Sequence, residues 1–166
     1  MKKSSEKIIK CPGCGLSLDD QQNKLTRKYN ATDDCFSDLS SYTLEKQDTN
    51  FIHQHAIDTY AAQHSGNNMK NITASFSVIG LYYAIVHDFN GKQVQRVHTL
   101  LSRQKYNWDA LQSPDNSAYS LTVYDVMKEQ PGENRDKMLI KWMNDVWKCW
   151  NHQHEWVKNI CNELLK

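Results

Sequence analysis

The amino-acid sequence predicts a mainly α-helical protein, in which a helical bundle follows a short head that contains two cysteines. Two observations support this fold class. After residue 31, apolar residues recur every three or four positions along several stretches, which is the spacing of amphipathic helices. Capping and helix-stopping residues separate these stretches. The 166 residues suffice for one hydrophobic core. We therefore expect a single domain, 1–166, made of a head (1–30) and a bundle (31–166).

The first four helices are predicted from their apolar spacing and from the residues at their ends. Thr32 or Asp33 can cap the first, and Asp48 or Thr49 can cap the second. Asn90-Gly91 stops the third. The predicted ranges of the four helices are about 33–46, 50–64, 71–88 and 92–104.

The C-terminal third contains a loop, an ambiguous segment and one long predicted helix. Residues 105–117 read as a loop around Pro114, and residues 118–128 fit either a short strand or a helix. A continuous last helix is predicted from just after Gly132 towards the C-terminus, with its apolar stripe facing a core. The stripe consists of Leu139, Met143, Val146, Trp150, His154, Val157, Cys161 and Leu164. An antiparallel bundle is the simplest architecture for these helices.

The strongest local motif is Cys11-Pro12-Gly13-Cys14-Gly15. Two thiolates three positions apart can bind one tetrahedral ion, and Pro12 and Gly13 shape the tight turn between them. Zinc is the expected metal, because thiolates are soft ligands. The alternatives are a redox Cys-x-x-Cys pair and two idle thiols. A redox pair usually opens a helix in a strand–helix unit, and no such unit is visible in the sequence.

One Cys-x-x-Cys pair supplies half of a closed four-ligand site. Cys35 is the natural third ligand, because it follows the motif and begins a predicted helix, whose N-terminus stabilises thiolates. The spacing leaves the fourth ligand open among His53, His55, His64 and His154. Cys149 and Cys161 are expected to be buried, small apolar groups.

The histidines next to the apolar faces are the other candidates for chemistry. Residues two apart on a helix point in different directions, so neither His-x-His pair can chelate one ion as a unit. His154 lies on the apolar stripe of the last helix, and His53 shares a face with Tyr60 and His64 on the second helix. Polar groups in an interior must be hydrogen-bonded or bound to a metal. His87 and His98 lack polar neighbours in sequence and are expected to be structural.

Four features in the same order resemble a bacterial family of unknown function. They are the Cys-Pro-Gly-Cys-Gly head, Cys35 followed by an aromatic residue, the run from Asp58 to His64, and Trp147-x-x-Trp150 with His154. The resemblance implies that these residues form the site, but it implies no activity. Ser65 stands where a proline is frequent in the family, and Ser75 or Ser77 stands where a histidine is frequent. The predicted metal ligands are Cys11, Cys14, Cys35 and His64, and the predicted pocket residues are Asp58, Tyr60, Gln63, His154, Trp150 and His53.

Composition and charge restrict the function classes. Lys+Arg is 20 and Asp+Glu is 19, a balance that disfavours nucleic-acid binding by counterion release. The longest apolar run is too short to cross a bilayer, and the expected location is the reducing cytoplasm. The first hypothesis is a zinc-stabilised module that binds a protein partner or a small ligand. The second is a metal-dependent hydrolase or transferase that uses Asp58, His64 and His154.

Overall fold

The computed structural model describes residues 8–19, 29–46, 50–66 and 69–165. Within them the mainly α-helical prediction is confirmed. The described helices are α1 (Asp33–Glu45), α2 (Ile52–Gln63), α3 (Asn71–Val86), α4 (Gly91–Ser102), α5 (Val123–Met127), α6 (Glu133–Cys149) and α7 (His154–Leu164). None of them is long and apolar enough to span a membrane.

The two described strands form a short antiparallel hairpin before the helices. Strand β1 (Ile8–Lys10) pairs with β2 (Ser17–Asp19), with Ile9 opposite Leu18. The connection between the strands contains the Cys11–Cys14 turn. The hairpin therefore presents both sulfur-bearing residues from one tight loop.

Helix α2 is the central helix, and α1, α3, α4 and α6 all contact it. Small residues such as Ala56, Ala61 and Ala62 are buried on it, which lets neighbouring helices approach closely. As a result, polar side chains on different sides of the helix are buried as well, including those of Gln54, Asp58 and Gln63. A helix buried on most of its sides must provide hydrogen bonds or other partners for such groups.

The bounds of the first four helices agree closely with their predicted ranges. Helix α4 begins with a capping box, in which the Asn90 side chain accepts a hydrogen bond from the Gln93 backbone N–H and the Gln93 side chain accepts one from the Asn90 backbone N–H. The predicted caps Asp48 and Thr49 lie outside the described residues. Residues 118–128, which the sequence left ambiguous, contain the short helix α5 and no described strand.

The prediction of one continuous last helix is wrong, because α6 and α7 are separated by a 3-10 turn, Asn151–Gln153. The Trp147 carbonyl accepts hydrogen bonds from the Trp150 backbone and from Nε2–H of His154, at 3.1 and 2.8 Å. In an uninterrupted α-helix that carbonyl would accept a hydrogen bond from the backbone N–H four residues later. The apolar stripe nevertheless remains on the core side in both halves, since Leu139, Val146 and Val157 are buried.

Candidate metal centre

The head of the chain forms a tight cysteine turn that is held by backbone hydrogen bonds. The Cys11 N–H donates to the Leu16 carbonyl, and the Gly15 N–H donates to the Cys11 carbonyl, both at 2.8 Å. Gly15 has φ +76°, a left-handed conformation that glycine adopts without strain. The Leu16 backbone N–H also bonds the Cys14 sulfur. The turn thus points both thiols to one side and supplies a donor to one of them.

Helix α1 supplies the third thiol. Cys35 lies in its first turn, after the N-cap residue Thr32, and is fully buried. The positive end of the helix dipole favours negative charge there. The Sγ atoms of Cys14 and Cys35 are 3.8 Å apart, although 21 residues separate them in sequence.

His64 closes the cluster from the C-terminal end of α2. Its Nδ1–H donates to the Tyr60 carbonyl at 2.8 Å, which leaves Nε2 as the nitrogen with a free lone pair. Nε2 lies 3.4 Å from Cys35 Sγ. Gly13 packs against His64 so closely that a Cβ would come within 2.6 Å of the imidazole Cδ2. The sequence therefore provides both the imidazole and the room that it needs.

Four ligand atoms converge as a result, from Cys11, Cys14, Cys35 and His64, all within 4.8 Å of one another. All four residues are buried, and Cys11, Cys35 and His64 are 0% exposed. Within the described parts of the chain, this is the one group of three or more such residues that could hold a metal ion. Spacing alone left four histidines open as the last ligand, and His64, the predicted one, is the histidine that the structure brings to the thiols.

The electrostatics of the three thiols show what a cation would change. Hydrogen bonds from Cys14 and Cys35 lower the pKa of Cys11, so the cluster favours a negative charge shared among its sulfurs. The interaction with Cys11 raises the pKa of Cys14 to about 12 and also raises the pKa of Cys35, with burial adding to both effects. The protein alone thus favours one thiolate, whereas a bound cation would stabilise all three.

Tyr60 lies one helical turn before His64 on α2 and contacts the thiol–imidazole cluster. Its ring stacks on His64, with ring centroids 3.8 Å apart. Its hydroxyl donates to Cys35 Sγ at 3.3 Å. Burial and the nearby Cys35 sulfur raise the pKa of Tyr60, which keeps the hydroxyl protonated as a donor. The sequence predicted Tyr60 as a pocket residue, and the structure places it against the thiol cluster.

Gln63 connects α2 to two other parts of the bundle. Its amide donates to the Leu121 carbonyl at 2.7 Å, and its Oε1 accepts from Trp142 Nε1 at 3.0 Å. Gln63 is 2% exposed. Both polar ends of its side chain are therefore used in holding the fold.

The other predicted pocket residues do not come together. Trp150 is fully buried in the core, and His154 stacks on Trp147 with ring centroids 3.7 Å apart. His53 packs edge-on against Phe51. The metal-ligand group described above includes none of Asp58, His53 and His154. The structure therefore does not assemble Asp58, His64 and His154 around one ion.

Asp58 belongs to a second polar cluster that the sequence analysis missed in part. Its carboxylate accepts a hydrogen bond from Gln54 at 3.1 Å and lies 3.6 Å from His98 Nε2. Gln54 and Asp58 have the i,i+4 spacing of facing helix residues, so the sequence held a signal for that pair. His98 lies on α4, 40 residues away in sequence, and no local pattern indicates its contact.

Comparison with known families identifies the chain. The model of a family of unknown function (DUF5946) matches residues 9–151, which is most of the sequence. The chain belongs to this family. The part that matches DUF5946 contains all four residues of the thiol–imidazole cluster, whereas His154 follows it. Neither the comparison with curated proteins nor that with solved structures gives a match for this DUF5946 member.

Proposed function

We propose that this protein holds one structural zinc ion through Cys11, Cys14, Cys35 and His64, and that the bundle it stabilises binds a protein partner or a small ligand. The observation that carries the zinc proposal is the convergence of three thiols and one imidazole nitrogen in a buried cluster. Thiolates are soft ligands, and Cys3His is a common zinc set.

The distances support a tetrahedral ion. Zn–S bonds of about 2.3 Å and Zn–N bonds of about 2.0–2.1 Å place two sulfur ligands about 3.8 Å apart, and a sulfur and a nitrogen about 3.5 Å apart. The distance from Cys14 Sγ to Cys35 Sγ is 3.8 Å, and the distance from Cys35 Sγ to His64 Nε2 is 3.4 Å. These two distances therefore match a tetrahedral ion, and all four ligand atoms lie within 4.8 Å of one another.

A structural role is supported by the number and burial of the ligands. Catalytic zinc sites keep one position for water or substrate, whereas structural sites have four protein ligands. All four residues here are buried. The partners around them also fit a closed site, because Tyr60 O–H and Leu16 N–H donate to ligand sulfurs and the Tyr60 carbonyl orients His64.

A binding role is the proposal for the rest of the bundle. The hydrolase or transferase hypothesis required Asp58, His64 and His154 at one centre, and the structure gives each a different neighbourhood. The near-neutral charge balance continues to favour a protein or small-molecule partner over nucleic acid. The free thiols of all five cysteines support the proposed reducing, cytoplasmic location.

Elemental mass spectrometry of the untagged, purified protein tests the zinc proposal. We expect one zinc per chain in the natural protein and none in a Cys11→Ser/Cys14→Ser variant. Cys149→Ser is the matched control, because Cys149 is half-buried and its thiol contacts the Ala118 carbonyl instead of the cluster. That variant should retain the zinc.

Two results would contradict the proposal. A protein that contains no metal would leave the cluster as three thiols and an imidazole. One zinc that survives the double substitution would place the ion elsewhere. Iron in place of zinc would show that the metal is not zinc. The same variants would still show whether the proposed ligands bind it.

A further inference from the structure

A groove of about 310 Å³ lies where α2, α3 and α4 meet. Tyr29 and Phe76 contribute aromatic rings to it, and Ile57 and Ile72 contribute aliphatic surface. The polar groups in its lining include Gln54, Asp58 and His98. Of the described residues that line it, none is a lysine or an arginine. The groove thus combines apolar walls with one acidic group.

The Asp58 carboxyl is held in place, but only one of its two oxygens accepts a hydrogen bond from the described residues. The carboxyl is 4% exposed, and one oxygen, Oδ1, accepts from the Gln54 amide. Gln54 is itself oriented, because its Oε1 accepts from Gln95 Nε2 at 3.2 Å. The second carboxyl oxygen, Oδ2, is closed off from solvent and has no hydrogen-bond partner among the described residues.

His98 does not donate a hydrogen bond to Asp58 Oδ2 in the structure. Its Nε2–H donates to the Phe76 carbonyl at 3.0 Å, and the same nitrogen is 3.6 Å from Asp58 Oδ2, too far for a good hydrogen bond. Burial lowers the pKa of His98 and therefore favours the neutral imidazole. Asp58 consequently lacks a permanent cation beside it.

The backbone leaves room for the carboxyl at this position. A Cβ at Gly80 of α3 would collide with Asp58 Oδ2. The buried acid and the glycine opposite it are therefore complementary. A buried, ionised carboxylate without a charged partner is costly, and such a group either keeps a proton or pairs with a cation.

We propose that this groove binds a small primary ammonium compound with an apolar body, and that the Asp58 carboxylate is its counter-ion. The aromatic rings of Tyr29 and Phe76 suit a cation, because ring faces attract positive charge. The aliphatic walls suit the apolar body of the ligand.

Other ligand classes fit this groove less well. An anion would meet the Asp58 carboxylate without a cationic side chain to offset it. A divalent metal needs several oxygen or nitrogen ligands, and the described residues offer no group of three around Asp58. A purely apolar ligand would leave the buried oxygen unpaired.

Binding exchanges one positive charge for another at the carboxyl. Burial raises the pKa of Asp58 well above its usual value, so the acid keeps its proton to higher pH than an exposed aspartate does. When the ammonium binds, the carboxyl proton leaves to solvent and the carboxylate pairs with the ligand. This inference rests on the proposed ligand-binding role of the bundle, and it does not require the zinc proposal to be correct.

The test uses cyclohexylammonium as the probe, with cyclohexanol and cyclohexanecarboxylate as neutral and anionic matches. Each is titrated into the full-length protein as purified, and binding is followed by ¹H–¹⁵N NMR. The metal content of the same sample is measured separately. We expect cyclohexylammonium to bind at millimolar concentrations or below and to shift backbone signals of Ala61 and Thr73, which line the groove.

Two variants decide whether Asp58 and the aromatic wall are responsible. Asp58→Asn should weaken cyclohexylammonium binding at least about tenfold, which corresponds to about 1.4 kcal/mol. Phe76→Leu should weaken the cation more than cyclohexanol. Asp38→Asn is the matched control, because Asp38 is a partly buried acid of α1 outside the groove, and it should bind as the natural protein does.

The proposal is overturned if no probe binds at these concentrations, if cyclohexanol binds as tightly as cyclohexylammonium, or if folded Asp58→Asn keeps its affinity. Should Asp58→Asn fail to fold, the Phe76→Leu comparison decides between cation and neutral ligand. A zinc-free sample that still binds the ammonium would contradict the zinc proposal alone. A zinc-containing sample that does not bind it would contradict the ammonium proposal alone.

Discussion

Helix α2 presents two polar clusters that are built in different ways. Towards α1 and the hairpin, His64 and Tyr60 face Cys35 and the thiol cluster, where Nδ1 of His64 and the Tyr60 hydroxyl both have partners. Towards α3 and α4, Asp58 faces Gln54 and His98 and keeps one oxygen without a hydrogen bond. Both clusters are buried; Asp58 itself lines one groove, and Pro12 and Gly13 of the cysteine turn line another.

The difference indicates different tasks for the two sides of one helix. Four converging ligands with oriented neighbours suit an ion that stays bound and contributes to folding. A buried acid that lines a groove and has no charged partner suits a cation that exchanges. We therefore expect changes at the thiol cluster to act mainly on stability, and changes at Asp58 to act mainly on pH dependence and binding.

The largest expected effect is that of removing the ion. Structural zinc supplies on the order of 10 kcal/mol of binding energy in small domains, and that energy is part of folding. We expect a strong chelator to lower the free energy of unfolding by more than about 3 kcal/mol. Urea unfolding followed by tryptophan fluorescence measures it. An unchanged unfolding midpoint after complete metal removal would show that the cluster does not depend on an ion.

A smaller effect is expected from Tyr60→Phe. The change keeps the ring that stacks on His64 and removes the hydroxyl that donates to Cys35 Sγ. Loss of such a supporting partner typically costs about 10–100-fold in metal affinity, so a competing chromophoric chelator should take the metal at lower concentration. Tyr106→Phe, which removes a hydroxyl that contacts Asp109, is the control. Equal affinities in the two variants would show that the hydroxyl does not support the ligand.

The third expected effect is the pH dependence that Asp58 contributes. Because the pKa of Asp58 is raised in the folded protein, the folded state binds more protons than the unfolded state above pH about 4. Stability due to this group is present at low pH and is lost as pH rises towards the folded pKa. Relative to Asp58→Asn, the natural protein should lose up to about 1.4 kcal/mol per pH unit in that window.

Urea unfolding of both proteins at several pH values measures this difference. Both measurements are repeated with His98→Gln added to each protein, because this substitution removes the titration of the neighbouring imidazole. Parallel stability curves for the natural protein and Asp58→Asn would show that the carboxyl is not perturbed by burial. The proposed difference between the two sides of α2 would then fail for the Asp58 side.

Short-range patterns predicted much of this molecule. Apolar spacing and capping residues gave the first four helices, because helix directions and ends depend on residues within a few positions. The Cys11–Cys14 turn was also predictable, since three-residue spacing and Gly15 fix its geometry locally. The break between α6 and α7 was not, because it depends on the His154 side chain and the Trp147 carbonyl, whereas the apolar stripe continues through both helices.

The sequence by itself determined the fold class, the cysteine turn and the set of residues from which a site could be made. The tertiary structure decided which of them meet: His64 joins the thiols, Gln63 holds Trp142, and Asp58 faces His98. These contacts join residues 29 to 79 positions apart. They depend on how α1, α4 and α6 pack around α2, and local spacing carries no information about that packing.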